Sequence, residues 1–136
     1  MRGYKSKTIE YQTKGSAAAD LVSAETVEIK PGERAIVGTK TMGKELGLED
    51  TQCAMVLSRS GLAANQGVFV LNAPGLIDPD YEGQIKVVLY NSGDKTVLIE
   101  PGNRIAQLLV QRFSRVWGAK ISSETRGGAG IGSTGI

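Results

Sequence analysis

Val27-Glu28-Ile29-Lys30 alternates apolar and polar side chains, and Pro31-Gly32 then turns the chain into a second short run, Arg34-Ala35-Ile36-Val37. Similar runs recur at 53–58, 67–72, 75–77, 84–91, 95–100, 104–112 and 116–121, each broken by Gly, Pro, Asp or Asn. Alternation with a period of two lets a strand bury one face and wet the other. Short strands at this spacing predict an all-β sandwich or barrel. Residues 43–50 (GKELGLED) read as one helical turn or a surface loop. A chain of 136 residues has room for one core. The expected organisation is one domain over 1–125, followed by the Gly-rich segment 126–136.

Composition removes several kinds of chemistry. The chain has no histidine and a single cysteine, Cys53, so an internal disulfide, a zinc site and a Ser-His-Asp or Cys-His catalyst are all excluded. Cys53 lies in the apolar run CAMVL and reads as a small buried hydrophobe. Any proton transfer falls to Asp, Glu, Lys or Tyr. Sixteen Lys and Arg against fourteen Asp and Glu leave a net charge of +2 without a basic cluster, so no nucleic-acid surface is expected. No apolar run is long enough to span a bilayer. The N-terminus MRGYKSKTIEYQ lacks the apolar segment of a secretory signal, so the expected location is cytoplasmic, in a host cell's cytoplasm if the source is viral.

Five stretches carry more polar and glycine content than strands need. Ala17-Ala18-Ala19-Asp20-Leu21 places a carboxylate after three small residues. Arg59-Ser60-Gly61-Leu62-Ala63 groups a guanidinium, a hydroxyl and a glycine, which suits an anion but also an ordinary strand-ending turn. Asn72 ends the apolar run VFVLN and Gln107 interrupts IAQLLV, so each amide needs a partner if buried. Residues 75–91, GLIDPDYEGQIKVVLYN, read as two strands joined into a hairpin by a polar turn. The tail RGGAGIGSTGI holds five glycines in eleven positions. It reads either as a loose terminus or as a flap whose backbone N–H groups cradle phosphate.

Taken in order, AAADLVSA, RSGLA, GLIDPDYEG, PGNRIAQLLV and RGGAGIGSTG resemble the five motifs of the homotrimeric dUTP diphosphatases (dUTPases). The resemblance runs from about Ala17 to the C-terminus. It implies a jelly-roll β subunit, a threefold trimer, active sites at the subunit interfaces, and a C-terminal arm that closes a neighbour's site. The implied reaction is Mg²⁺-assisted hydrolysis of dUTP at the α-phosphate to dUMP and pyrophosphate. That limits uracil incorporation into DNA and supplies dUMP for thymidylate synthesis. Asp78 matches the carboxylate that orients and deprotonates the attacking water. Tyr81 matches the ring that stacks on deoxyribose and leaves no room for a 2′-hydroxyl. Asn72 stands where some members read the uracil edge. Arg59, Ser60, Gly61 and Gln107 match phosphate-contacting positions. Asp20 matches an acid that reaches the metal through water, the ion being held mainly by the triphosphate. Arg126, Gly132, Ser133 and Thr134 match the tail's phosphate grip.

Two departures from the family pattern matter. Ile131 stands where the tail normally carries an aromatic that stacks on uracil, so it covers the base without a π-face. Residues 40–52 (KTMGKELGLEDTQ) lack the Pro-Gly-rich link expected ahead of RSGLA. One alternative is a dCTP deaminase on the same fold, whose turn often reads IDPG. The catalytic glutamate of that family would fall near Val88, which transfers no proton, and Asp80-Tyr81 is the dUTPase form of the turn. A dUTPase fold retained as a regulatory binding protein, with a protein partner, is the alternative from outside enzymology.

Overall fold

The computed structural model describes residues 9–123. Nine strands are laid out as β1 (Ala19–Val22), β2 (Val27–Ile29), β3 (Arg34–Met42), β4 (Gln52–Leu57), β5 (Val68–Val70), β6 (Gly75–Ile77), β7 (Gln84–Asn91), β8 (Val97–Ile99) and β9 (Arg104–Arg112). A 3₁₀ turn, Gly43–Leu46, follows β3, and one helix, α1 (Ser60–Gln66), follows β4. The strands form three antiparallel sheets ordered β1-β9-β4-β6, β3-β7-β5 and β2-β8. The arrangement is a jelly-roll-like β fold.

The predicted alternation sets the core. Along β7, Ile85, Val87 and Leu89 are fully buried while Lys86 faces solvent. They pack with Val37 and Val70 of the neighbouring strands and with Leu21, Val56, Ile105 and Leu108 of the four-stranded sheet. Asn91 continues the inward face of β7 and is also fully buried. Its Nδ2 donates to the Ile29 and Lys95 carbonyls at 2.9 and 2.8 Å, and its Oδ1 accepts from the Gly93 N–H at 2.9 Å. A buried amide with both ends satisfied ties β7 to β2 and to the turn before β8. Pro31-Gly32 and Pro101-Gly102 make the same bend twice. In each, the fourth residue's N–H returns to the first carbonyl at 3.0 Å, and the glycine has the positive φ that a type II turn requires.

Four sequence expectations change. The run 75–91 is not a hairpin, because β6 pairs with β4 while β7 pairs with β3 and β5. The polar turn between them therefore carries the chain from one sheet to another. RSGLA is not a strand-ending turn but the entrance to α1, with Arg59 extended and Ser60 first in the helix. Residues 116–121 form no strand, and Val116 and Trp117 are 81% and 97% exposed. Asn72 lies beyond the end of β5, exposed in a turn rather than buried in a strand.

Candidate functional site

One row of residues crosses the four-stranded sheet, with Asp20 of β1 opposite Gln107 of β9 and Gln107 opposite Leu57 of β4. Asp20 is 7% exposed, so its carboxylate needs compensation. Its Oδ2 accepts from Gln12 Nε2 at 2.6 Å and lies 3.8 Å from Arg104 Nη1. Its Oδ1 lies 3.6 Å from Arg59 Nε, which is too long for a hydrogen bond. That Nε is buried and makes no hydrogen bond to any described residue. Two guanidiniums face the Asp20 carboxylate beside the start of α1, and a second carboxylate stands close by, since Gln12 Nε2 also donates to Glu10 Oε1 at 3.3 Å. A guanidinium in such a setting presents a planar fork of donors to an anion. Ser60 and Gly61 open α1 at that point and are exposed, and Gln107 is half-buried.

A second patch lies in the turn after β6. The Tyr81 N–H donates to the Asp78 carbonyl at 3.1 Å, closing the bend around Pro79 and Asp80. Asp78 is half-buried and Asp80 exposed. The half-buried Tyr81 ring packs against the core, and its hydroxyl donates to the Gln84 carbonyl at 2.5 Å. Burial pushes the Tyr81 phenol above its ordinary pKa. Asn72 sits at the other end of β6 with its amide close to Gly75, where an added Cβ would lie 3.7 Å from Nδ2. A broad open cleft of about 1060 Å³ separates Asp80 from residues 114–123.

Within one chain these patches stay apart. The ladder pairs Ala54 with Ile77, so Asp78 continues the register opposite Cys53, whereas Gln107 faces Leu57. Four residues of β4 therefore separate the two rows, about 13 Å at ~3.3 Å per residue. Asp20, Arg59, Ser60, Gly61 and Gln107 are brought together, and Asp78 and Tyr81 share one turn, but the two sets stay apart and Asn72 lies at the far end of β6 from Asp78. Arg126, Ile131, Gly132, Ser133 and Thr134 lie outside the described residues. Gln12 and Arg104 escape sequence reading. Arg104 stands inside PGNRIAQLLV, yet only the β1–β9 register shows that it meets Asp20. Gln12 carries no local signal and reaches Asp20 because residue 10 bridges to β1.

Among the described residues, no three His, Cys, Asp or Glu side chains gather to hold a metal. Asp20 already shares its oxygens with an amide and two guanidiniums, so these residues do not fit a cage that binds Mg²⁺ by itself. They fit a partner that arrives with its own charge and, if needed, its own cation.

The fold and its two patches define an all-β protein with arginines and the exposed start of α1 on one surface and a turn bearing a carboxylate and an aromatic ring on another. The family model described as dUTPase matches residues 4–135. A Thermobifida fusca protein named deoxyuridine 5′-triphosphate nucleotidohydrolase is 47% identical over 129 residues, covering 92% of this chain and 70% of its own. A protein of the same name from Bifidobacterium longum is 46% identical over 134 residues, covering 94% of this chain and 82% of its own. The solved dUTPase of Streptococcus mutans aligns with a TM-score of 0.72 at 26% identity, over 87% of this chain and 96% of that one. The chain belongs to the dUTPase family.

Proposed function

We infer that the chain hydrolyses dUTP at the α-phosphate to dUMP and pyrophosphate, at a site completed by a second copy of the chain. The cellular roles that follow are limiting uracil in DNA and supplying dUMP for thymidylate synthesis, and we place them in the cytoplasm. The observation that carries the reading is how Tyr81 is committed. Its hydroxyl donates to the Gln84 carbonyl, which leaves the ring to meet substrate. A ring fixed in this way packs against deoxyribose and excludes a 2′-hydroxyl. Asp78, in the same bend, is then the group that holds and deprotonates the attacking water. Asp80 is exposed and reads as a structural acid of the turn.

In the other patch, Arg59, Ser60, Gly61 and Gln107 take the phosphate oxygens, and the Arg59 guanidinium stabilises negative charge developing on the leaving pyrophosphate. Gly61 supports this role, because no described residue comes within 4 Å of a Cβ placed there and the open backbone leaves room for a ligand to approach. Mg²⁺ would arrive with the triphosphate, whose charge it would offset, and Asp20 would be the residue that reaches it through water, held in place by Gln12 and the two arginines. Asn72 pairs with the uracil edge. Arg126, Ile131, Gly132, Ser133 and Thr134 close the site as a lid.

With about 13 Å along β4 between the two rows, we assign the water-holding Asp78 and the Arg59 cluster of one active site to different subunits. In-line attack requires the reacting atoms within ~3.5 Å. The outer face of the four-stranded sheet supports an assembly. Leu76, Met55 and Leu109 stand side by side there, and Leu76 is 63% exposed. Together with the exposed Val116 and Trp117 of the C-terminal stretch, this is apolar surface for a neighbouring subunit of a trimer. The deaminase alternative lacks a proton-transfer group, since the half-buried Val88 occupies the position it needs.

The test is pyrophosphate release from dUTP with Mg²⁺, set against dTTP, dCTP and UTP. Selective turnover of dUTP is expected. Ammonia release from dCTP, or equal turnover of UTP, refutes the reading.

A further inference from the structure

We propose that Gly43 is a specificity-determining positioning residue, whose missing side chain seats Tyr81 and thereby sets discrimination between deoxyribo- and ribonucleotides. The inference rests on the role given to Tyr81 above. Gly43 is buried at the first position of the 3₁₀ turn after β3. Its N–H donates to the Gly83 carbonyl at 2.6 Å, and the Lys44 N–H donates to the Glu82 carbonyl at 3.3 Å. The corner thus lies directly against the backbone of residues 81–83. A Cβ at position 43 would overlap the Tyr81 carbonyl oxygen and come 2.8 Å from Tyr81 Cδ2 and 3.0 Å from its carbonyl carbon.

Conformational freedom is not the reason for glycine here. Among the described residues, the glycines with positive φ are 32, 47, 67, 102 and 118, and Gly43 is not one of them. The backbone would accept alanine, and only the closeness of Tyr81 forbids it. The corner is itself pinned, because the Met42 N–H donates to Glu45 Oε2 at 2.7 Å. The far end of the ring is pinned too, through its hydroxyl and the Gln84 carbonyl. Gln84 is in turn anchored by its Nε2 donating to the Thr39 carbonyl at 3.0 Å. Tyr81 is therefore clamped between β3 and the start of β7, with Gly43 as the inner jaw.

An added methyl has no flexible neighbour to push aside, because the nearest atom is backbone. Ordinary contact begins at 3.4 Å, so the turn must move by roughly half an ångström or more, the tolerance within which a functional constellation works. A ring displaced by that much no longer closes the space a 2′-hydroxyl would need.

The experiment uses the full chain and measures kcat/KM for dUTP and UTP by pyrophosphate release. Variants are Gly43→Ala, Tyr81→Ala and the pair. Gly43→Ala is expected to lower the dUTP:UTP ratio at least about tenfold, mainly through KM, in line with the cost of small misplacements. In the Tyr81→Ala background the same change should leave the ratio unmoved, since the ring it displaces is gone. A general packing defect would instead lower both substrates together. If Gly43→Ala does not fold, Gln84→Ala decides the matter, because it adds no atom and cuts the anchor to Thr39. A fall of about threefold in the ratio is expected from loss of one hydrogen bond. A wild-type ratio in whichever of these folds overturns the role of Gly43 and leaves that of Tyr81 standing. A wild-type enzyme that does not discriminate between the two substrates overturns both.

Discussion

If Asp78 and Arg59 of one active site come from different subunits, two dead variants should rescue each other. Asp78→Asn removes the base and leaves the phosphate patch intact. Arg59→Ala removes a phosphate donor and leaves the Asp78–Tyr81 turn intact, and Asp20 keeps Gln12 and Arg104 as partners. Each homotrimer alone should lose about two orders of magnitude or more in kcat. Mixed trimers, made by co-expression or by joint refolding, contain some sites with both healthy halves. Such a site needs its Asp78 from an Arg59→Ala chain and its Arg59 from an Asp78→Asn chain. At equal mixing each condition holds half the time, so about one site in four is complete in a closed ring of identical contacts.

The recovered specific activity should therefore approach a quarter of wild type, and it should peak at equal mixing and fall symmetrically on either side. Pyrophosphate release from dUTP is the assay, with wild-type trimers taken through the same refolding as the reference. A site built within one chain gives no complete copy at any ratio. Activity that stays at the level of the single variants, in trimers shown to be mixed, would refute the reasoning from the β4 ladder.

Other perturbations test separate parts of the structure. Asn91→Ala strands the Ile29 and Lys95 carbonyls and the Gly93 N–H, and should cost about 3 kcal/mol or more, read as a fall in Tm. Tyr81 has its folded pKa raised, so its contribution to stability is full below the unfolded value near pH ~10 and is lost as pH rises towards the folded one. Tyr81→Phe should therefore flatten the fall in Tm above about pH 10, and an unchanged slope would show that the buried hydroxyl does not titrate this way. Ile131→Phe should lower KM for dUTP by adding a stacking face of roughly 0.5–1.5 kcal/mol to the lid. Unchanged KM and kcat would mean that residue 131 does not cover the base.

The strands that sequence marked best, 75–77, 84–91 and 104–112, are apolar runs that each find a pairing strand, and 84–91 buries alternate residues along its length. Residues 116–121 have strand-like composition but no partner, and strand formation depends on pairing rather than on local residues. The helix at Ser60 was hidden because Ser and Gly near its start carry turn signals as strong as helix signals. The supposed hairpin at 75–91 failed for a related reason. Local residues announce a bend, but which sheet each arm joins is decided by β4 and by β3 with β5, far away in sequence.

The same division governs the candidate site. Asp78, Tyr81, Arg59, Ser60, Gly61 and Gln107 stand out because polar or glycine residues interrupt apolar runs. Gln12, Arg104 and Gly43 act through register and proximity, and nothing beside them in sequence reports it. A motif records the groups that meet substrate, whereas the residues that aim those groups are visible only after folding. Tyr81 illustrates the difference. As one letter in DPDY it could be an acid, a hydrogen-bond donor or a stacking ring. The Gln84 carbonyl engages its hydroxyl, and the bare corner at Gly43 lies against its backbone and ring, contacts that no neighbour in sequence reports.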